Sequence, residues 1–187
     1  MALSSKKASD AIWRRYMRAA GLDSEGDLKY EDGEWVGIDL DGFQEDWAEG
    51  YDEYAKDGVV LGADNVGGDV SILVSALNSV KGQYPSYGNS IDILANGLAQ
   101  YWATVAVENG TPAHGGIEVL SVVNNAATLA PAFKAAITSS VTQSRSEPFF
   151  KVFVDNVESV VSTIVYTVTE LMPTTPPSPS VFVETIK

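Results

Sequence analysis

The stretch Phe149-Phe-Lys-Val-Phe-Val-Asp-Asn-Val-Glu-Ser-Val-Val-Ser-Thr-Ile-Val-Tyr-Thr-Val-Thr-Glu-Leu171 carries the longest regular pattern in the chain. Phe149, Phe150, Phe153, Val157, Val160, Val161, Ile164, Val168 and Leu171 keep to spacings of three or four, which gathers them on one face of a 3.6-residue helix. Many residues here are β-branched, a class that resists helix only slightly. The spacing therefore predicts a single helix over 149–171, opened by the Ser146-Glu-Pro148 step and acting as the spine of a bundle.

Working toward the N-terminus, two helical stretches are expected at 117–129 and 131–141, with Pro131 in the first turn of the second. Before them lies the loop Asn109-Gly-Thr-Pro-Ala-His-Gly-Gly116. Asp69 suits the cap of a helix with Ile72, Leu73, Ala76, Leu77 and Val80 inward and Gly82 at its end. Asn89 or Ser90 suits the cap of a partner helix carrying Ile91, Leu94, Leu98, Tyr101 or Trp102, and Val105. These two read as an antiparallel pair. Over 43–57, Phe43, Trp47, Tyr51 and Tyr54 form an aromatic stripe of the kind that fills a core, and Glu45, Asp46, Glu49, Asp52 and Glu53 give the other face an acidic character. Between 22 and 42 the chain is rich in Gly and acid, and Tyr30-Glu-Asp-Gly-Glu-Trp35 has the Asp-Gly signal of a small hairpin. Ser9-Asp10 can cap a first helix with Ile12, Trp13, Tyr16, Met17 and Ala20 on one face, Arg14, Arg15 and Arg18 on another, and Gly21 as its stop. The expected fold is mostly α: one domain over 1–172, a bundle of about five to six helices with an acidic loop or flap at 22–42.

Residues 173–187 read as an arm. Pro173-Thr-Thr-Pro-Pro-Ser-Pro-Ser180 includes Pro176 and Pro177 and forbids helix. It favours an extended spacer of roughly 25 Å at ~3.1 Å per residue. Val181-Phe-Val-Glu-Thr-Ile186 is β-prone, with Val181, Val183 and Thr185 on one side and Phe182, Glu184 and Ile186 on the other. The expectation is a strand added to another chain's sheet or lodged in a neighbour's groove. The competing reading is a tail lying along its own domain.

With 187 residues, 45% of them apolar and four Trp, the chain can bury one ordinary core. A net charge of -13 argues against direct contact with nucleic acid backbones and against anionic membrane surfaces. Fourteen of the 25 acidic residues fall between Asp23 and Asp57, opposed there only by Lys29 and Lys56. Such an end is a solvated surface, a docking face for a basic partner, or a mimic of nucleic acid. Arg14, Arg15 and Arg18 could pair with the acidic end of a neighbouring copy, as in a ring or stack of identical subunits, and Glu45 and Glu49 are separate candidates for binding a partner. The absence of cysteine excludes disulfides, thiolate catalysis and Cys-ligated metal. Neither a signal-peptide core nor an apolar run of membrane-spanning length is present, which fits a protein kept in a cytoplasm or packaged into a particle built there.

Catalytic signals are sparse. The single histidine, His114, lies in a Pro/Gly loop without a nucleophile signature. Asp23, Glu25, Asp27, Glu31 and Glu34 occupy positions 1, 3, 5, 9 and 12 of a calcium-loop window, but Leu28 stands where the turn needs Gly. Asp39-Leu-Asp-Gly42 is a second, shorter fragment. Gly62-Ala-Asp-Asn-Val-Gly-Gly68 lacks the Lys-Ser/Thr ending of a phosphate loop, and no pair of carboxylates stands out for glycoside chemistry. The expectation is a protein without enzymatic activity and without a cofactor.

The layout resembles the small, mostly helical virion structural proteins of tailed bacteriophages, the neck, tail-completion and capsid-associated type. The likeness rests on the helical pair holding Ala99-Gln-Tyr-Trp102, the long terminal helix, and the run Leu171-Met-Pro-Thr-Thr-Pro-Pro-Ser-Pro179 leading into a final strand. It implies a structural subunit of the virion, present in the host cytoplasm during assembly, forming a homo-oligomer and touching neighbouring structural proteins. A rival expectation is a small acidic inhibitor or nucleic-acid mimic that binds a basic protein.

Overall fold

The structure is a computed structural model that describes residues 30–31, 34–35, 42–60, 63–81, 87–107, 118–123, 125–143, 149–172 and 178–185. Five helices lie within them: α1 (Phe43–Lys56), α2 (Val70–Lys81), α3 (Tyr87–Thr104), α4 (Ala126–Gln143) and α5 (Phe149–Val161). Each packs on the next in sequence order, and Trp47 of α1 meets Phe153 of α5 with ring centroids 6.3 Å apart, which brings the last helix back to the first. The mostly helical bundle expected from the sequence is thus present. The helix expected at 10–20 lies outside the described residues.

Side-chain caps account for the starts of two helices. Asp69 caps α2, its Oδ1 accepting from the Ser71 backbone N–H at 3.0 Å and from Ser71 Oγ at 2.6 Å. Asn125 caps α4, with Oδ1 accepting from the Ala127 N–H at 3.0 Å. Helix α3 starts at Tyr87, ahead of the expected Asn89 or Ser90. Its inward face, Ala95, Leu98, Ala99, Tyr101, Trp102 and Val105, is buried at the centre of the core, against Leu73 of α2 and Phe133 and Ile137 of α4.

Three small sheets accompany the helices. Strands β1 (Tyr30–Glu31) and β2 (Glu34–Trp35) form the expected hairpin, pairing Tyr30 with Trp35 and Glu31 with Glu34. Strands β3 (Val59–Val60), β4 (Ala63–Gly67) and β5 (Ala106–Val107) tie the chain leaving α1 to the chain leaving α3. The third sheet has the order β6-β7-β8, from β6 (Glu118–Val123), β7 (Val165–Met172) and β8 (Ser178–Thr185), all antiparallel.

This third sheet corrects three expectations. The helix expected over 149–171 stops at Val161. Ser162 Oγ and Thr163 Oγ1 donate back to the carbonyls of Ser159 and Val160, the turn tightens to i→i+3 bonds, and the chain emerges as β7. The apolar spacing holds through Ile164, which is buried, but Val168 belongs to a strand and pairs with Phe182. A step of four fits both a helix and a period of two, so Ile164 and Val168 could not separate them. Second, residues 117–129 are not one helix: Glu118–Val123 pairs with β7, and α4 then runs unbroken from Ala126 through Pro131 to Gln143. Third, the C-terminal strand is hosted by its own chain, pairing from Met172↔Ser178 to Val165↔Thr185. The proposed spacer shrinks accordingly. Ser178, Pro179 and Ser180 lie within β8, and Pro176, Pro177 and Ile186 are outside the described residues.

One close approach sets the spacing of α2 and α3. A Cβ placed on Gly97 would lie 2.5 Å from Cβ of Ala76, so only glycine lets these backbones meet. Gly97→Ala should destabilise the protein by about 1–3 kcal/mol through overpacking, despite alanine's better helix propensity, as read from urea unfolding.

Candidate functional site

Two features of the described residues bear on function: the acidic helix α1 and the outer edge of β8. The sequence placed Phe43, Trp47, Tyr51 and Tyr54 of α1 inward; Trp47, Tyr51 and Tyr54 are buried, and so are Ala48 and Ala55, which the sequence reading did not single out. Tyr51 is their centre. It stacks on Trp47 at 5.5 Å and meets Tyr54, Tyr101 and Trp102 edge-on at 5.6, 5.6 and 6.3 Å, while Trp102 Nε1 donates to its hydroxyl at 3.0 Å. The stripe is therefore core.

Of the five acidic residues assigned to the outer face, Asp52 is misplaced: it is 5% exposed. Its Oδ1 accepts from the Tyr101 hydroxyl at 2.7 Å and from the Gly68 N–H at 3.0 Å, and its Oδ2 pairs with Lys56 Nζ at 2.7 Å. Every lone-pair direction that matters is thereby met, which a buried carboxylate requires. Tyr101 is held firmly protonated, pushed far above the usual tyrosine range by burial and then by the adjacent carboxylate. The preceding residue, Gly67, has φ +83°, and a Cβ there would strike the Asp52 carboxylate. The sequence did contain a signal: Ala48, Asp52 and Ala55 are spaced four and three apart, on the buried side of α1.

What remains outside is a regular stripe. Glu45, Glu49 and Glu53 are exposed and follow one another at intervals of four. Glu45 and Glu49 form one wall of an open groove of about 760 Å³, whose other wall is the hydroxyl and amide face of α2, Ser71, Ser75, Asn78 and Ser79, over Val70 and Val74. The α2 residues of this groove were not among the sequence candidates, because small polar residues on a helix's outer face carry no distinctive pattern.

No family model matches this sequence, and no curated protein or solved structure matches it either. The site is accordingly read from its own chemistry.

Arg14, Arg15 and Arg18, and the calcium candidates Asp23, Glu25 and Asp27, lie outside the described residues, as do Asp39, Asp41 and His114. Glu31 and Glu34 face each other as a strand pair, so position 12 of that window begins a strand where a calcium loop of the helix-loop-helix type would enter its second helix. Among the described residues, no group of three or more His, Cys, Asp or Glu could hold a metal ion. No described helix is long and apolar enough to cross a membrane. Val181, Phe182 and Val183 lie at the middle of β8, opposite Thr169, Val168 and Thr167.

At the far side of the bundle, Ser140 of α4 is fully buried, donating to the Ala136 carbonyl at 2.8 Å and accepting from Asn156 Nδ2 of α5 at 3.0 Å. Two residues on, Glu158 has a carboxylate oxygen buried without a hydrogen-bond partner, and burial pushes its carboxyl up to about 7.

Two predictions follow the chemistry of these groups. Tyr101→Phe leaves a buried carboxylate short of one donor and should lower stability by about 1–3 kcal/mol without changing the urea m-value. Glu158 binds its proton more tightly folded than unfolded, so its contribution favours the native state at low pH. That contribution is lost as pH rises from the ordinary carboxylate range to about 7 and is flat above. Glu158→Gln should therefore raise the melting temperature relative to the parent at pH 8, with the gain shrinking toward pH 5.

Proposed function

We propose that this chain is a non-enzymatic structural subunit that repeats in a larger assembly, of the kind found at the neck, tail or capsid of a tailed-phage virion, and that copies or neighbours dock on the outer edge of β8. The observation that carries this reading is the sheet order β6-β7-β8, which leaves an eight-residue strand as the last member of its sheet among the described residues. Such an edge presents a row of backbone N–H and C=O groups to any incoming strand. Natural sheets blunt long edges with lysines, bulges or covering elements. Strand β8 has no Lys or Arg, its only charge is Glu184, and its register with β7 runs without a shift. Pro179 protects one end alone. A second β8 laid antiparallel about a two-fold axis would extend the sheet to six strands and satisfy both edges at once.

The arm thus docks as the rim of its own sheet rather than as a free clasp. Deleting 173–187 is a poor test, because it bares β7 and replaces one open edge with another. Adjacent residues of a strand aim their backbone groups at opposite neighbours, so of Val181→Pro and Phe182→Pro one breaks the ladder to β7 and the other spoils only the outer edge. The outer-edge variant should keep the parent's circular dichroism and melting temperature yet lose mass in sedimentation. Assembly reading fails if that variant retains the parent's mass, or if the parent itself sediments as a monomer.

A second reading has one observation in its favour, the exposed stripe of Glu45, Glu49 and Glu53, which suits a small acidic inhibitor capturing a basic protein. Burial of Asp52 narrows that face to fewer charges than the sequence promised.

A further inference from the structure

We infer that β8 pairs with β8 of a second copy of this chain in one register, with Phe182 facing its own copy on the two-fold axis. The inference rests on the assembly reading above and adds to it the partner and the alignment. Among the described residues the third sheet has two outer strands, β6 and β8, and they differ. The ladder between β6 and β7 shifts between Val119 and Ser121, and β6 packs on β5. A bulged strand bends and twists, so β6 is a poor match for a straight neighbour. The ladder between β7 and β8 holds one register over all eight residues of β8. Within this chain, the strand that matches the outer edge of β8 in length and regularity is β8 itself.

Backbone geometry removes half of the registers. Residues two apart in a strand aim their N–H and C=O groups the same way, so outward-aiming residues of one copy bond only outward-aiming residues of the other. Two copies of β8 therefore pair odd numbers with odd and even with even, and the two-fold axis sets one residue opposite itself. Aligning the strands end to end would pair Val181 with Phe182 and is excluded on that ground. The two nearest alternatives put Val181 on the axis, pairing 178–184, or Phe182 on the axis, pairing 179–185.

Two features favour Phe182. Val122 of β6 stands opposite Val168 of β7, and Val168 stands opposite Phe182. With Phe182 on the axis, this row of register positions is apolar across all six strands; with Val181 there, the row on the axis is Ser121, Thr169 and Val181 from each copy. Pro179 falls opposite Thr185 at the end of the paired stretch, where its missing N–H costs least, whereas the other register moves it inward to Val183. Charge permits the pairing in a protein of net charge -13. Glu184 falls opposite Ser180. The two copies of Glu184 then stand roughly 13 Å apart along the strands at ~3.4 Å per residue, beyond the screening length of about 8 Å at physiological salt.

The chain contains no cysteine, so a single introduced cysteine in the full chain forms a disulfide only between copies. Residues directly opposite in an antiparallel pair have Cα atoms ~4.5–5.5 Å apart, which a disulfide spans, whereas Cα atoms more than about 7 Å apart are not bridged without backbone movement. Phe182→Cys should therefore oxidise to a covalent dimer at least about tenfold faster than Val181→Cys, whose copy lies two residues along the ladder. A second measurement keeps Phe182 in place. Ser180→Cys and Glu184→Cys should each stay single on a non-reducing gel, and the two co-expressed should give the covalent pair. Faster closure at 181 than at 182, or a co-expressed pair that does not cross-link, overturns the register. If the outer-edge proline variant loses mass in that case, the assembly reading stands without it. A parent that sediments as a monomer sinks both, as when the edge serves a strand of another protein.

Discussion

The carboxylate of Asp52 is the point on which the bundle is hung. It lies on α1, yet its three polar partners come from α1 itself, from the residue that follows β4, and from the last turn of α3. A buried charge is tolerated only when its partners are in place, so the network specifies one mutual placement of these elements, and any slip by a turn would strand a carboxylate in the core. The aromatic cluster around Tyr51 does the complementary work. Its rings bury far more surface than the polar contacts do, but their edge-on and stacked arrangements tolerate several packings, and it is the hydrogen bonds from Tyr101 to Asp52 and from Trp102 to Tyr51 that select among them. Area holds the core together, and polar geometry decides its register.

The second constraint is the competition for residues 162–172. Helix α5 needs its apolar face only as far as Ile164, where the core ends. Beyond that point a continued helix would carry Val165, Val168 and Leu171 past the bundle into water. Turning at Ser162 and Thr163 instead lets a segment rich in Val and Thr pair on both sides, with β6 and with β8. Strand β7 is thereby the central strand of its sheet, with β6 on one side and β8 on the other.

What was legible in the sequence follows from which signals were unique to one structure. Helices α1 and α2 were read closely because aromatic spacing, the Asp69 cap and the flanking glycines all pointed the same way. The hairpin at Tyr30 to Trp35 was legible from Asp-Gly alone. The third sheet was not, because a spacing of four serves both a helix and a strand, and because pairing partners far apart in the chain leave no local trace. The candidate surfaces divide the same way. The acidic stripe was visible as composition, but removing Asp52 from it required knowing which face α3 covers. The edge of β8 was visible as a β-prone tail, while the identity of its host was a tertiary fact.

Asp52 also shapes the outside of the molecule. Lys56 is the one cation on α1, and its ammonium is held by the buried carboxylate one turn back. The core network thus engages the helix's only positive charge on the side of Asp52. Two such acidic molecules repel one another at any separation inside the screening length of about 8 Å at physiological salt. Copies can approach only where the surface is nearly uncharged, as along β8 with its single Glu184, or where a local patch of the opposite sign outweighs the mean field. A residue wholly inside the core therefore also bears on the charge that α1 presents, by holding its one lysine.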